Sequence, residues 1–373
     1  MDAAAWNLMF LVVYVVAVAV DPLFFYLPVI EDNPSNATKC ITTDKTLKII
    51  AICVRSFLDL VTIGDLVRQI SKRIRLEASE YVINILGILP VPQVLVPIIV
   101  SGMSGSKSRK IRKFLNAVVI LQYVPRILRV WILWNKAVND AMNNQPKTES
   151  SRPTDEDNEK EKKKEKKRKK EKKMKKEKKK YMVLKAGLNL YLYLIASHVL
   201  GAFWYFFSIE RETKCWHLAC HEHNITCNNS TFHCDNDFRI NHPIINESCS
   251  LKDPNTNLFD FGIYQKARQS GILDSMDIPQ KTLFCFWWGL RNLSSFGQNL
   301  ETSPDYWENC FTILISIFGL LLFLYFIGNL QVYMQSEASE WLQRYKQRSY
   351  HGIHAANELE TFEQRSHHAI QAA

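Results

Sequence analysis

Long apolar runs recur along the chain at the length that a membrane-spanning helix needs. About 20 mostly apolar residues cross the hydrocarbon core of a bilayer as a helix. Six runs reach this length: 3–30, 47–70, 81–100, 114–134, 183–209 and 310–332. The first run has no basic start and no small-residue cleavage site, so we interpret it as a retained span. The pattern predicts an all-α membrane protein with six transmembrane helices.

A seventh apolar stretch, 282–293, is too short to span a bilayer and leads into the polar sequence SSFGQNLETS. Non-helical backbone at membrane depth is tolerated only where it is buried in protein or lines water. We therefore predict a re-entrant pore helix and an ion-selectivity filter, a voltage-gated-like channel fold, with Glu301 at the outer pore mouth. The predicted filter residues are Ser295, Phe296, Gly297, Gln298 and Asn299. The alternative is an interfacial loop, which the aromatic pair Trp287 and Trp288 would also suit.

Six spans place both chain ends on one face, so successive loops alternate between the two faces. Glycosylation sequons fall in two loops that this order assigns to the outer face. Their asparagines are Asn36, Asn224, Asn228, Asn229 and Asn246. The Lys-rich block 159–180 falls on the opposite face, in agreement with the positive-inside rule. The basic cluster 107–113 disagrees with that rule, and we assign it to the outer end of the fourth span.

Cysteines crowd the same predicted outer loops. The candidates are Cys40, Cys215, Cys220, Cys227, Cys234 and Cys249. Extracellular cysteines usually form disulfides, and the sequence does not give their pairing. Histidines in the loop between spans five and six make a zinc site the alternative, but their spacing matches no standard zinc finger, which favours disulfides.

Charged side chains inside hydrocarbon are costly, so those within a predicted span should pair or face a polar crevice. In the second span, Arg55 and Asp59 are four residues apart. Asp65 and Arg68 are three residues apart, so each pair could meet on one helix face. We interpret them either as locally neutralised charges or as countercharges for a neighbouring sensor helix.

The fourth span carries two arginines three residues apart, Arg126 and Arg129. A voltage sensor needs several regularly spaced arginines that move through the membrane field. Two such residues predict weak voltage dependence at most. The alternative is a structural helix in which both arginines are paired.

The positive net charge comes from one local block. The whole chain carries +10, whereas residues 159–180 hold sixteen Lys or Arg and five Glu, a net charge of +11. The rest is close to neutral, so the charge does not indicate nucleic-acid binding. We interpret the block as a solvated cytoplasmic linker, with adhesion to anionic lipid headgroups as an alternative.

The sequence HEH at 221–223 cannot place both histidines on one helix face, and we predict no enzyme and no cofactor.

Several stretches resemble the plant cyclic nucleotide-gated ion channels. They are DPLFFYLPVI, LPVPQVLV, LQYVPRILR, LYLIASHVLGAFWYFFSIER, CFWWGLRNLSSFGQNLETS and IGNLQVYMQS. The resemblance implies a homo- or hetero-tetramer in the plasma membrane, with other cellular membranes possible. It also implies a non-selective, calcium-permeable cation channel. The Gly-Gln-Asn sequence at 297–299 takes the place of the potassium-channel Gly-Tyr-Gly, so strict potassium selectivity is not expected.

The predicted organisation has four parts. These are a voltage-sensor-like four-helix bundle at 1–136, a cytoplasmic Lys/Glu-rich linker at 137–182, a pore domain at 183–335 with a turret at 210–280, and a partial cytoplasmic linker at 336–373. The last part is too short for the family's cyclic-nucleotide-binding and calmodulin-binding modules, so we expect a truncated or divergent member. Expected partners are the lipid bilayer, related subunits and permeant cations. The alternative function is a non-conducting regulatory subunit that assembles with complete channels.

Overall fold

The computed structural model describes residues 3–33, 38–71, 78–91, 93–95, 98, 118, 121–136, 156–223, 232, 234, 248–249 and 259–371. Helices make up most of this part of the chain. In chain order the elements are α1 (Ala3–Val20), β1 (Pro28–Asn33), β2 (Thr38–Thr43), α2 (Lys45–Ser71), α3 (Ala78–Ile88), α4 (121–136), α5 (Glu156–Glu222), α6 (Gln265–Gln269), α7 (Ile278–Ser294) and α8 (Tyr306–Gln371).

Three helical segments of the described residues are long and apolar enough to cross a membrane. They are Met9–Tyr26, Lys185–Glu222 and Tyr306–Tyr350. Helix α2 has 27 residues and also has the length, but charged residues interrupt its apolar sequence. A shorter apolar helical stretch runs over Glu80–Leu95. The helical membrane architecture is therefore supported, while the arrangement in six spans stays a prediction.

The predicted first span, 3–30, is not one helix. Helix α1 ends at Val20, and a 3-10 helix follows over Asp21–Tyr26 with proline in its first turn. Strand β1 then pairs antiparallel with β2, with Pro28 opposite Thr43 and Asn33 opposite Thr38. Proline lacks an N–H group and cannot continue the helical hydrogen bonds, which favours a change of structure at this point. This hairpin corrects the all-α expectation.

The chain divides into two compact units, of which the first contains Met1–Arg152 and Leu192–Leu321. Aromatic side chains fill its core. Phe25 lies 4.4 Å from Phe203 between ring centroids, and the Tyr205 hydroxyl donates a hydrogen bond of 2.8 Å to the Pro28 carbonyl. The Ile30 amide donates to the Leu273 carbonyl at 3.0 Å. Within this unit, the end of the first span and the hairpin thus pack directly on residues of the predicted pore domain.

The second unit contains Pro153–Tyr191 and Leu322–Ala373, which are the first part of α5 and the last part of α8. Both predicted cytoplasmic linkers are therefore helical over their described residues, and each is continuous with a span. Lys and Glu are good helix formers, which is consistent with the helical backbone of the block 159–180.

Candidate pore turn and its supports

Helix α7 covers the stretch 282–293, predicted to be the pore helix, and extends past both of its ends. Its N-cap is Asp277, whose carboxylate accepts a hydrogen bond from the Gln280 amide, and proline occupies the first turn. Both features are typical of helix starts, because the first N–H groups of a helix lack partners within it. The helix ends at Ser294, immediately before the predicted filter.

Two glycines bring α7 into backbone contact with α5. A Cβ atom at Gly201 would lie 2.1 Å from the Cys285 carbonyl oxygen, and one at Gly289 would lie 2.1 Å from the Ser197 carbonyl oxygen. Next to these contacts the rings of Trp204 and Trp288 stack at 4.3 Å. Helix α7 is therefore fixed against the fifth predicted span by close backbone approach and by an aromatic stack.

The predicted filter forms a tight turn rather than an extended segment. Phe296 has φ 54° and Gly297 has φ 75°, both in the left-handed region. The Gln298 amide donates to the Ser295 carbonyl at 3.1 Å, and the Leu300 amide donates to the Gly297 carbonyl at 3.0 Å. Only glycine adopts the left-handed region without steric cost, which explains why Gly297 stands at the centre of the turn.

Most carbonyl oxygens of this turn accept hydrogen bonds inside the chain. The Ser316 hydroxyl of α8 donates to the Phe296 carbonyl at 2.8 Å and thereby ties the turn to the last span. The polar side chains exposed on the turn are Gln298 and Asn299, with Glu301 just beyond. In the single chain, carboxamide and carboxylate oxygens are therefore the groups best placed to meet a cation.

A buried ionic cluster holds the chain where it leaves the turn. Arg211 of α5 lies 2.7 Å from the Asp305 carboxylate and donates to the Ser303 hydroxyl at 2.6 Å. Glu308 of α8 accepts from the Ser303 amide at 3.1 Å and from its hydroxyl. Lys214 adds a second cation, 2.6 Å from Asp305. We define Arg211, Lys214, Ser303, Asp305 and Glu308 as the exit cluster.

Sequence reasoning missed the exit cluster because its members are far apart in the chain. Burial opposes ionisation of Asp305, but the hydrogen bond from Lys214 and the charge of Arg211 outweigh it and hold the pKa of Asp305 below its ordinary value. The acidic residues Asp305 and Glu308 just before a long apolar run were the available signal, since carboxylates there must find partners.

The predicted sensor arginine Arg126 is bound at the end of the first span. It forms an ion pair with Asp21, and it donates to the Leu89 carbonyl at 2.9 Å. Asp21 is fully buried and also lies 3.3 Å from Arg55, which in turn lies 2.9 Å from Asp59. Asp21 therefore bridges two arginines from different helices, a role that sequence reasoning did not assign to it.

The second predicted arginine, Arg129, is held differently. Its guanidinium lies over the Tyr14 ring at 4.0 Å and donates to the Asn84 carbonyl at 3.2 Å. Further along the buried face of α2, Asp65 forms an ion pair of 2.9 Å with Arg68. The Arg68–Asp65 pair neutralises charge locally, whereas Arg129 is held by an aromatic ring and a backbone carbonyl.

The structure joins Cys40 to Cys234 and Cys215 to Cys249, and Cys220 is also disulfide-bonded. Cys227 lies outside the described residues, as do all five candidate glycosylation sites: Asn36, Asn224, Asn228, Asn229 and Asn246. Among the described side chains, one group has metal-ligand proximity, Glu31 with Cys40 and Cys234. Since that group's sulfurs are joined to each other, the geometry favours disulfides over zinc here.

Long apolar helices, together with a short helix packed on α5 and a polar turn after it, are typical of a multi-pass membrane protein of channel type. No family model and no solved structure matches the chain. Among curated proteins it is 40% identical to "Cyclic nucleotide-gated ion channel 1" of Arabidopsis thaliana, over 89% of this chain and 44% of the relative. It is 36% identical to "Probable cyclic nucleotide-gated ion channel 10" of the same plant, over 89% and 45%.

A third relative, "Protein CNGC15c" of Medicago truncatula, is 33% identical over 90% of this chain and 46% of the relative. The chain belongs to the plant cyclic nucleotide-gated ion channel family, as the resemblance implied. The two Arabidopsis thaliana relatives are named as ion channels, not as enzymes. The chain spans slightly less than half the length of these curated relatives.

Proposed function

We propose that this chain is a subunit of a tetrameric, non-selective and calcium-permeable cation channel of the plasma membrane. The observation that carries the proposal is the turn at 295–299. It follows a helix that packs with one face against α5, it is tied to the predicted last span, and it exposes two carboxamides. Four such turns around one axis would form a ring of uncharged oxygens able to replace part of a cation's water shell.

The proposed roles follow from the chemistry of the exposed side chains. Gln298 and Asn299 offer neutral amide oxygens, which bind cations weakly enough to release them. Glu301 adds one carboxylate per subunit at the outer mouth, and a ring of acids attracts cations. Most backbone carbonyls of the turn accept hydrogen bonds within the chain, so the proposed filter lacks the repeated ion-facing carbonyls of potassium channels. This fits weak discrimination among cations.

The apolar surface of α8 supports assembly in a bilayer. Within the first unit its exposed large side chains include Ile313, Leu314, Ile317, Phe318, Leu320 and Leu321. Lipid tails or neighbouring subunits would cover such a surface in a membrane protein. Arg126 is ion-paired with Asp21, and Arg129 is held by the Tyr14 ring and the Asn84 carbonyl. These contacts support a channel with weak voltage dependence, because both guanidinium groups are held in place.

Recording cation currents from cells that express this chain tests the proposal. We expect Gln298→Ala and Asn299→Ala each to change the relative permeability of calcium and potassium at least about twofold, since each removes a ring of oxygens. The matched control is Gln280→Ala, which removes the same carboxamide from the exposed N-terminal end of α7. It should leave permeability unchanged.

Absence of current from chains that reach the cell surface would contradict the proposal. If such chains instead altered the currents of a co-expressed longer relative, the alternative of a non-conducting regulatory subunit would be favoured. Equal effects of Gln298→Ala and Gln280→Ala would show that the turn does not line the ion path.

A further inference from the structure

Ser303 is held by several members of the exit cluster and by its neighbour Asn309. The Ser303 amide and hydroxyl both donate to Glu308, and its hydroxyl also accepts from Arg211. Its carbonyl accepts from the Asn309 side chain at 3.2 Å. Ser303 and Glu308 are each 2% exposed, so water does not compete for these bonds. All polar groups of Ser303 are therefore held.

Two further contacts fasten the cluster to the base of the turret. Arg211 donates to the Asp260 carbonyl at 2.9 Å, and Glu308 accepts from the Ile263 amide at 2.9 Å. A Cβ atom at Gly262, where φ is 49°, would lie 2.0 Å from the Glu308 carboxylate. Only glycine fits this approach without displacing the carboxylate, so the local backbone is shaped around Glu308.

The position of Ser303 limits where Glu301 can stand. The Leu300 amide is hydrogen-bonded within the turn, and the Ser303 amide is hydrogen-bonded to Glu308. Only Glu301 and Thr302 lie between these two fixed residues. Successive Cα atoms are about 3.8 Å apart, which leaves such a short bridge little freedom. The Glu301 side chain is exposed and forms the end of this bridge nearest the turn.

We propose that Arg211 and Glu308 are positioning residues of the ion path, which set the location of the Glu301 carboxylate at the outer mouth by fixing Ser303. The inference rests on the proposed channel function and deepens it. Arg211 supplies the buried positive charge that neutralises Glu308 and Asp305, and Glu308 supplies the acceptors for the Ser303 backbone and hydroxyl. Removal of Arg211 would leave Glu308 as a buried charge without its ion-pair partner, whereas removal of Glu308 would leave the Ser303 amide without its acceptor.

A double-substitution experiment separates positioning from general stabilisation. We expect Glu308→Gln to lower the calcium-to-potassium permeability ratio in the same direction as Glu301→Gln. If Glu308 acts through Glu301, the double variant should have the same permeability ratio as Glu301→Gln alone. If the two residues act independently, the double variant should change the ratio by the product of the two single changes. The matched control is Glu222→Gln, an exposed acid at the end of α5, which should leave the ratio unchanged.

Hydrogen exchange of the purified protein gives a readout that does not depend on current. Loss of a hydrogen bond to a charged acceptor should raise exchange of the amides in 301–305 roughly tenfold in Glu308→Gln over the Glu222→Gln control. If Glu308→Gln does not assemble, Ser303→Ala removes the hydroxyl contacts alone and should shift the ratio in the same direction.

The outcomes distinguish the two proposals. Currents that respond to Gln298→Ala while Glu308→Gln and Ser303→Ala leave the permeability ratio unchanged would overturn the positioning role and leave the channel function intact. Multiplicative effects in the double variant, or unchanged exchange at 301–305, would overturn it as well. Absence of current in every chain, the unaltered one included, would overturn the channel function itself.

Discussion

At the residue scale, Asp21 shows how one buried carboxylate can organise several helices. It lies in the 3-10 helix after α1 and meets Arg55 of α2 and Arg126 of α4. A small cavity of about 10 Å³ lies beside these arginines and is lined also by Tyr14 and Thr62. The buried charges balance one another within this region, which explains how the span segments tolerate them.

We expect Asp21→Asn to lower the free energy of unfolding by about 3–5 kcal/mol, because it leaves two buried guanidinium groups without their shared partner. Thermal or detergent-induced unfolding of the purified protein measures the change. The control is Glu31→Gln, which removes an exposed acid from the adjacent strand β1. Equal stability of the two variants would show that Asp21 is not needed to compensate the buried guanidinium charges.

At the element scale, the contact between α5 and α7 determines where the predicted pore helix lies. It depends on the absence of side chains at Gly201 and Gly289, where backbone carbonyls of the partner helix approach. Neither glycine is needed for the helical conformation itself. Their occurrence within helices therefore reports a close helix–helix approach.

Gly289→Ala tests this contact. Helix propensity alone favours Ala over Gly by about 1 kcal/mol, whereas the added Cβ atom would lie 2.1 Å from the Ser197 carbonyl oxygen. The clash should dominate and lower the free energy of unfolding by about 1–3 kcal/mol. Gly64→Ala in α2 is the control, since no atom lies within 4 Å of its Cβ position, and it should not destabilise. A stabilised Gly289→Ala variant would contradict the close approach.

At the scale of the whole first unit, a covalent link connects the hairpin to the turret. Cys40 of β2 and Cys234 are 194 residues apart in sequence, and the Ile41 amide donates to the Phe232 carbonyl at 2.7 Å beside them. The same chain therefore contributes both sides of this junction. The connection holds the outer end of the first two span segments on the predicted pore domain.

We expect Cys40→Ser to lower the free energy of unfolding by about 2–5 kcal/mol, because the bond closes a long loop in the unfolded chain. It should also make the Cys234 thiol available to a maleimide, which mass spectrometry detects. Cys53→Ser is the control, since Cys53 is an exposed free cysteine of α2 and its loss should change neither property. No new reactive thiol in Cys40→Ser would contradict the pairing.

Local sequence patterns anticipated much of the helical framework. Stretches 47–70, 183–209 and 310–332 all lie inside helices, and 282–293 lies inside α7. Long apolar runs predict such elements because a helix forms all of its backbone hydrogen bonds within its own segment. The hairpin over Pro28–Thr43 was missed, because β1 begins in a stretch whose apolar sequence is equally compatible with the end of a span.

The sequence by itself determined the apolar helices, the short helix α7 and the polar turn with Gly297, since these follow from local composition and backbone sterics. It also suggested the nearby pairs Arg55–Asp59 and Asp65–Arg68, whose spacing lies within one helix. Only the tertiary structure decided that Asp21 meets Arg126, that Arg211 meets Asp305, and that Cys40 meets Cys234. The physical reason is that burial and ion pairing depend on which distant segments pack together, and no local pattern specifies that.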